Sequence, residues 1–289
     1  MNYSQKAKLE EKIVFALLYL FGFMVVAILF TIVGYIFIKG IGAINMHFFF
    51  GDANPINAIL GKERVFDGIW NAIIGTLALV LVSIMFSIPF GVLGAVYLHE
   101  YASDNYLTKI IRFSSDTLAG FPSIVFGLFG YAIAIKSGIG PCLLIAGLTL
   151  SFMILPIIMR TTEEGLKSVP QGLREGSLAL GATKWQTIRK VVIPTALPQI
   201  ITGIILGMGR SAEETAAIMF TGATAFAFGI GLFNRVEALP FSLYILATEY
   251  SSPSELQDAY GIALVLIVMM FILFGLANII KNRFKIPHM

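Results

Sequence analysis

Charge is scarce in this sequence of 289 residues. Lys, Arg, Asp and Glu make up 13% of it, against about 25% in soluble domains, while 57% is apolar. The few charges also cluster, leaving 26 uncharged residues between Lys12 and Lys39, 32 between Asp67 and Glu100, and 19 between Asp116 and Lys136. Lys136 to Arg160 encloses 23, Lys190 to Arg210 encloses 19 and Asp258 to Lys281 encloses 22. A membrane-crossing helix takes about 20 such residues, which excludes a soluble globular domain, a disordered chain and a nucleic-acid-binding domain. Cysteine is almost absent: Cys142 alone excludes an intramolecular disulfide and a thiolate metal cluster. Neither sign of charge dominates, with 20 basic and 17 acidic residues, so a polyanion-binding surface is not expected. His47, His99 and His288 are scattered, and neither H-E-x-x-H nor G-x-x-x-x-G-K-[ST] occurs, so no metal site and no nucleotide-binding loop is expected. No acid–base or nucleophile constellation points to an enzyme.

What remains is an all-α integral membrane protein with six expected transmembrane helices, at 13–38, 69–97, 113–135, 139–159, 191–220 and 259–280. The first apolar run is too long for a signal-peptide core and lacks a small-x-small cleavage site, so it is expected to stay as the first span. With both termini inside the cell (N-in, C-in), 14 of the Lys and Arg residues fall on the cytoplasmic side and five outside, the bias expected of a multi-pass cell-membrane protein. A further uncharged run, Glu214 to Arg235, is interrupted by Gly222, Gly229 and Gly231. Counting it as a span would reverse the C-terminus, so it is read as part of an outer loop. Residues 39–68 and 221–258 are then extracellular, and 160–190 cytoplasmic. Pro122, with Gly120, should kink or break the third span, either for packing or to turn Ser123 toward a pathway. Asp116 is read as a charge at the N-terminus of that span, or as half of a pair across the bundle.

The cytoplasmic loop carries explicit start and stop signals. Thr161 with Glu164, Ser168 with Gln171, and Thr183 with Gln186 all have capping-box spacing. Pro170 suits a first helical turn, and Gly181 suits the left-handed residue that ends a helix. The expected product is a short helix from Pro170 to Gly181, with Leu173, Ser177 and Leu180 along one side. It is either an amphipathic helix on the membrane surface or a lever inserted into a cytoplasmic partner.

Within the fifth span, Arg210, Glu213 and Glu214 form a charged cluster about 18 Å beyond Pro198 along a helix, near mid-membrane. A charge there costs on the order of 3 kcal/mol and should face a partner or water. Both carboxylates lie about one turn from Arg210. A self-neutralising structural pair is one reading. The other is a translocation path, in which the guanidinium presents a planar fork to an oxyanion and a carboxylate accepts the remaining hydroxyl of phosphate. Sulfate has no such hydroxyl.

Several of these motifs resemble a known family. Glu175-Gly176-Ser177-Leu178-Ala179-Leu180-Gly181, with Val191-Val192-Ile193-Pro194 after nine more residues, is similar to the coupling-loop signature of ABC importer permeases. Gly176 and Ser177 replace its two alanines. Gly209-Arg210-Ser211-Ala212-Glu213-Glu214-Thr215-Ala216 resembles a signature of phosphate importer permeases, with Ser211 for Ala and Glu213 for Gly. Tyr97-Leu98-His99-Glu100-Tyr101-Ala102 and Ala119 to Gly127 resemble further signatures of that family, and Phe220-Thr221-Gly222-Ala223, with Leu239-Pro240 and Leu243-Tyr244, are similar to its A-type permease rather than the C-type partner. The resemblance spans about residues 67–282. It implies the type I ABC importer permease fold: residues 67–282 as the permease domain, 1–66 as the first helix and outer loop, and 283–289 as a cytoplasmic tail. It further implies a substrate pathway through Arg210, Glu213, Glu214, Thr215 and Ser123, and coupling through Glu175, Gly176, Ser177, Gly181 and Ala182. No cofactor is expected on this chain. ATP is used by a partner ATPase dimer, beside a C-type permease, an extracellular phosphate-binding protein and the lipid bilayer, without nucleic acid. Other oxyanions (molybdate, sulfate, phosphonate) and proton-coupled secondary transport by Arg210 and Glu214 remain as alternatives.

Overall fold

The computed structural model describes residues 3–283 except Arg64, Asp104, Phe228 and Ile230, with side chains from Glu11 onward. α1 (Tyr3–Gly40) is followed by two single-turn helices, α2 (Met46–Phe50) and α3 (Pro55–Ile59), each started by an asparagine whose side chain accepts a first-turn amide. That is the usual way of satisfying an orphan N–H at a helix start. α4 (Trp70–Val96) runs without a break into a π-turn, Tyr97–Tyr101. α5 (Tyr106–Gly120) and α6 (Ser123–Lys136) meet at 107°. Next come α7 (Leu143–Lys167), the short α8 (Gln171–Ala179) and α9 (Lys184–Thr187). A second π-turn, Ile188–Val192, leads into α10 (Ile193–Ala212), followed by α11 (Ala216–Thr221), α12 (Leu239–Glu249) and α13 (Pro253–Arg283). Among the described residues, strand-like pairing is confined to one bridge between Ala223 and Val236.

Among the described residues, five stretches are long and apolar enough to cross a bilayer: Glu11–Gly40, Trp70–Tyr101, Leu143–Lys167, Lys184–Ala212 and Pro253–Arg283. The bent pair α5–α6 makes a sixth if it counts as one span. Two expected spans need correction. The third breaks at Pro122, as expected, with Phe121 (φ −74°, ψ 138°) and Pro122 (φ −59°, ψ 139°) extended, but its start at 113 is wrong. Proline clashes with a helical residue before it and pushes that residue out of the helix. α5 starts earlier than its apolar run, because the Asn105 side chain accepts the Thr108 amide. The fifth span ends at Ala212, not at 220, and its chain restarts as α11.

The core lies where α4, α7, α10 and α11 meet, around Leu79, Leu150, Ile154, Ile158 and Ile218. Lipid tails are as apolar as leucine, so membrane helices associate through small residues and polar contacts rather than by hydrophobic burial. A Cβ added to Gly147 would lie 2.3 Å from Val82, and one on Gly203 would lie 1.8 Å from the Thr161 hydroxyl. Backbones therefore approach as closely as glycine permits. Ser83, the central residue of α4, exchanges a 2.7 Å hydrogen bond with Ser211 of α10. Both are buried, and such a bond is worth about 0.6–2 kcal/mol in a membrane bundle.

α1 stands along the bundle's flank with its apolar side chains exposed. It touches α13 near its end, where the Tyr35 and Tyr260 rings meet edge to face at 5.7 Å. The run after Glu214 is not a span. Past α11 it folds back at the end of the bundle, where the Leu239 amide donates to the buried Thr76 hydroxyl at 2.9 Å. Glu237 is buried there and accepts the Ala227 amide at 2.7 Å. Burial pushes its carboxyl above the ordinary value, against the pull of that amide and of Asn71.

Candidate substrate path and coupling helix

Arg210 occupies the last turn of α10, next to Ser211. Because Ser211 bonds the central residue of α4, Arg210 lies at mid-height of the bundle. The helix stops just beyond it at Glu213, whose amide still reaches the Gly209 carbonyl at 3.3 Å. Arg210 contacts both carboxylates: Nη1 lies 3.4 Å from Glu213 Oε1, and Nη2 lies 3.3 Å from Glu214 Oε2. The two are not equivalent. The Glu213 side chain is 60% exposed and that of Glu214 only 5%, with Arg210 between them at 44%. Glu214 Oε1 also accepts the Ala217 amide at 3.4 Å, which helps restart the helix as α11. All three contacts are long for charged hydrogen bonds, which run at about 2.7–2.9 Å. Of the five N–H groups on a guanidinium, most have no acceptor among the described residues. Irregular backbone at membrane depth is tolerated where it lines a cavity or is buried in protein.

Thr215, half-buried, begins α11 without a side-chain cap bond. Ser123, also half-buried, begins α6. One turn further on, a Cβ on Gly127 would lie 3.0 Å from the Ala216 carbonyl and Ala217, so α6 packs on the start of α11. Ser123 thus shares a neighbourhood with the break, although no hydrogen bond joins it to Arg210 among the described residues. Asp116 sits in the last turns of α5, not at a helix start, and pairs across the bundle with Arg160 of α7.

At the opposite end from α12, α8 spans Gln171–Ala179 with no buried residue. Glu175, Gly176, Leu173, Leu178 and Leu180 are all exposed. Gly181 has φ +83°. Its amide donates to Leu178 at 2.9 Å and the Ala182 amide to Ser177 at 3.3 Å, the paired bonds of a Schellman ending. The Ser177 hydroxyl lies 2.9 Å from that of Thr187. Thr183 and Gln186 form the reciprocal capping box that opens α9. The other two expected boxes are absent. Thr161 lies inside α7 and bonds the Ile157 carbonyl at 2.8 Å, while Ser168 ends α7 and bonds Gly165. A hydroxyl within a helix satisfies itself on the preceding turn, so spacing alone does not identify a cap.

The polar contacts behind α8 leave no pattern in the sequence. Arg112 of α5 donates to Glu163 of α7 at 3.0 Å, and Glu100 meets Arg174 of α8. Each joins residues more than 50 positions apart, and the one local signal was a charge placed beside a span end.

A bundle of apolar helices with a charged break at mid-height and an uncovered helix at one end is the architecture of a membrane transport subunit. The chain belongs to the family of binding-protein-dependent transport system inner membrane components, whose pattern matches residues 87–286. It is 31% identical over 285 residues to the probable ABC transporter permease protein YqgI of Bacillus subtilis (strain 168), covering 93% of this chain and 94% of that one. It is 32% identical over 273 residues to the phosphate transport system permease protein PstA of Pasteurella multocida (strain Pm70), with 93% and 94% covered. Among solved structures, a bacterial ABC transporter involved in the import of the acidic polysaccharide alginate superposes with a TM-score of 0.63 at 16% identity, over 96% of this chain and 99% of that one. That likeness is one of fold, the type I ABC importer permease. The chain is thus a permease subunit of an ABC importer, a multi-pass inner-membrane transport component and not an enzyme.

Proposed function

We propose that this subunit is the A-type permease of a phosphate importer and that Arg210 meets the anion in transit. The observation that carries the reading is the half-exposed guanidinium at mid-height, held by two long contacts at a helix break. A structural pair would be expected to be covered, since an unpaired charge in hydrocarbon is costly. Arg210 attracts the oxyanion with a planar two-point fork. Glu213 accepts the phosphate hydroxyl and repels anions that have none to donate. Thr215 and Ser123 line the same path. The choice of phosphate is supported by relatives that carry that name at 32–35% identity.

The chain has six spans with both termini inside, residues 67–282 forming the permease domain. α8 docks into an ATPase, one of two, which supplies hydrolysis on a separate chain. Glu175, Gly176, Ser177, Gly181 and Ala182 make or shape that contact. A C-type permease completes the pathway, and an extracellular binding protein delivers phosphate. The test is uptake of labelled phosphate into vesicles carrying the assembled importer, with sulfate and molybdate as competitors. Uptake should require ATP and resist both competitors. Equal inhibition by sulfate or molybdate would overturn the choice of phosphate.

A further inference from the structure

The helix that docks outward is held inward by a few polar contacts, two of which meet at one residue. α8 buries none of its side chains, so apolar packing does not fix its position on the bundle. Its attachments are polar: Ser177 bonds Thr187, and Arg174 bonds the Leu166 carbonyl and pairs with Glu100. Glu100 lies in the π-turn that extends α4, and its side chain is only 8% exposed. Its carboxylate pairs with Arg174, on α8 before the Gly181 turn. Its carbonyl accepts the ammonium of Lys184, on α9 after that turn. Lys184 also lies over the Tyr101 ring, 4.7 Å from its centre. Both arms of the turn are therefore fastened to one point. Arg174 ties in α7 too, donating to the Leu166 carbonyl at 2.7 Å.

The π-turn matters to this arrangement. It closes with the Ala102 amide on the Tyr97 carbonyl, five residues back, at 2.9 Å. Such turns are rare and concentrate at functional sites. α4 in turn carries Ser83, which bonds Ser211 beside Arg210. A continuous chain of packed and bonded groups leads from α8 through Glu100 and α4 to the mid-height break. We propose that Glu100 is a positioning residue that makes α8 and α4 move as one body, so that displacement of the docked helix reaches the Arg210 region. The inference rests on the reading that α8 docks into an ATPase.

The test is a double-mutant cycle in the assembled importer, reconstituted in vesicles. Glu100→Gln, Arg174→Met and the double variant are compared with wild type for phosphate taken up per ATP hydrolysed. Each single variant should lower that ratio by about fivefold or more, the lower end of energetic coupling between sites, while the ATPase still co-purifies. The double variant should be no worse than Arg174→Met alone, because the Arg174–Glu100 pair is already lost in that single variant. Arg174→Lys, which keeps the charge, should restore most of the ratio. An unchanged ratio in the singles, or losses that multiply in the double variant, would overturn the clamp alone. Should Glu100→Gln fail to accumulate in the membrane, Lys184→Met removes only the second fastening and should still lower the ratio; a wild-type ratio there overturns the clamp. Absence of the ATPase from purified wild-type importer would overturn the docking reading, and the clamp with it.

Discussion

Replacing Arg210 with methionine removes the cation that contacts Glu214, while leaving a side chain of similar length to fill the space. Glu214 is nearly buried, and its remaining partner is the Ala217 amide at 3.4 Å. Stranding one member of a fully buried ion pair costs about 3–5 kcal/mol. Here Arg210 is itself half-exposed and the contact is 3.3 Å long, so the loss should lie nearer 2 kcal/mol, about the strength of a hydrogen bond to a charged group. At roughly 2–4 °C per kcal/mol for a chain of this size, Arg210→Met should melt about 4–8 °C below wild type. Adding Glu214→Gln removes the stranded charge and should recover most of that difference, since Gln still offers an oxygen to Ala217. Fluorescence-monitored melting of detergent-extracted protein reads both variants. A wild-type melting temperature for Arg210→Met would refute the claim that Glu214 depends on Arg210. Wild-type phosphate uptake by the recovered double variant would leave the cluster a structural pair.

Gly181→Leu places a Cβ in a left-handed backbone, costing about 1–2 kcal/mol, in open space where no clash intervenes. Uptake should fall while membrane insertion is retained, and normal ATP-coupled uptake would rule out the lever. Glu237, raised by burial from its ordinary 4.5, contributes stability that is full below that value and lost as pH rises through its folded value. Glu237→Gln keeps the acceptor for Ala227, so it should melt higher than wild type at pH 8 and match it near pH 4; equal melting at pH 8 would contradict this. In a Cys142→Ser background, cysteines at Lys62 and Ser252 should react with impermeant maleimide from outside, and those at Lys167 and Lys281 only after the membrane is opened. External labelling at Lys167 would overturn the orientation.

The spans, the Gly181 ending and the Thr183 cap are legible in the sequence, because apolar run length, left-handed glycine and capping spacing act over a few residues. The boundaries at α5 and α10 were not. Asn105 starts α5 before its apolar run begins, and α10 stops where Glu214 turns to serve the next helix. Arg210, Glu213 and Glu214 stand out as charges in an apolar run, and the structure joins them as their spacing requires. Glu100 and Asp116 are charges of the same kind, yet their partners lie 74 and 44 positions away. No local pattern names Arg174 or Arg160 as the partner; packing does.

Whether the Arg210 guanidinium contacts the transported anion is decided by Arg210→Lys. Lysine keeps the positive charge beside Glu214 but loses the planar two-point fork. The measurement is initial phosphate uptake by vesicles carrying the assembled importer, alongside the amount of inserted protein and its ATP hydrolysis. Inserted protein should stay at the wild-type level and uptake should fall by about tenfold, the loss of one charge-assisted hydrogen bond. Uptake equal to wild type at equal insertion would contradict that contact.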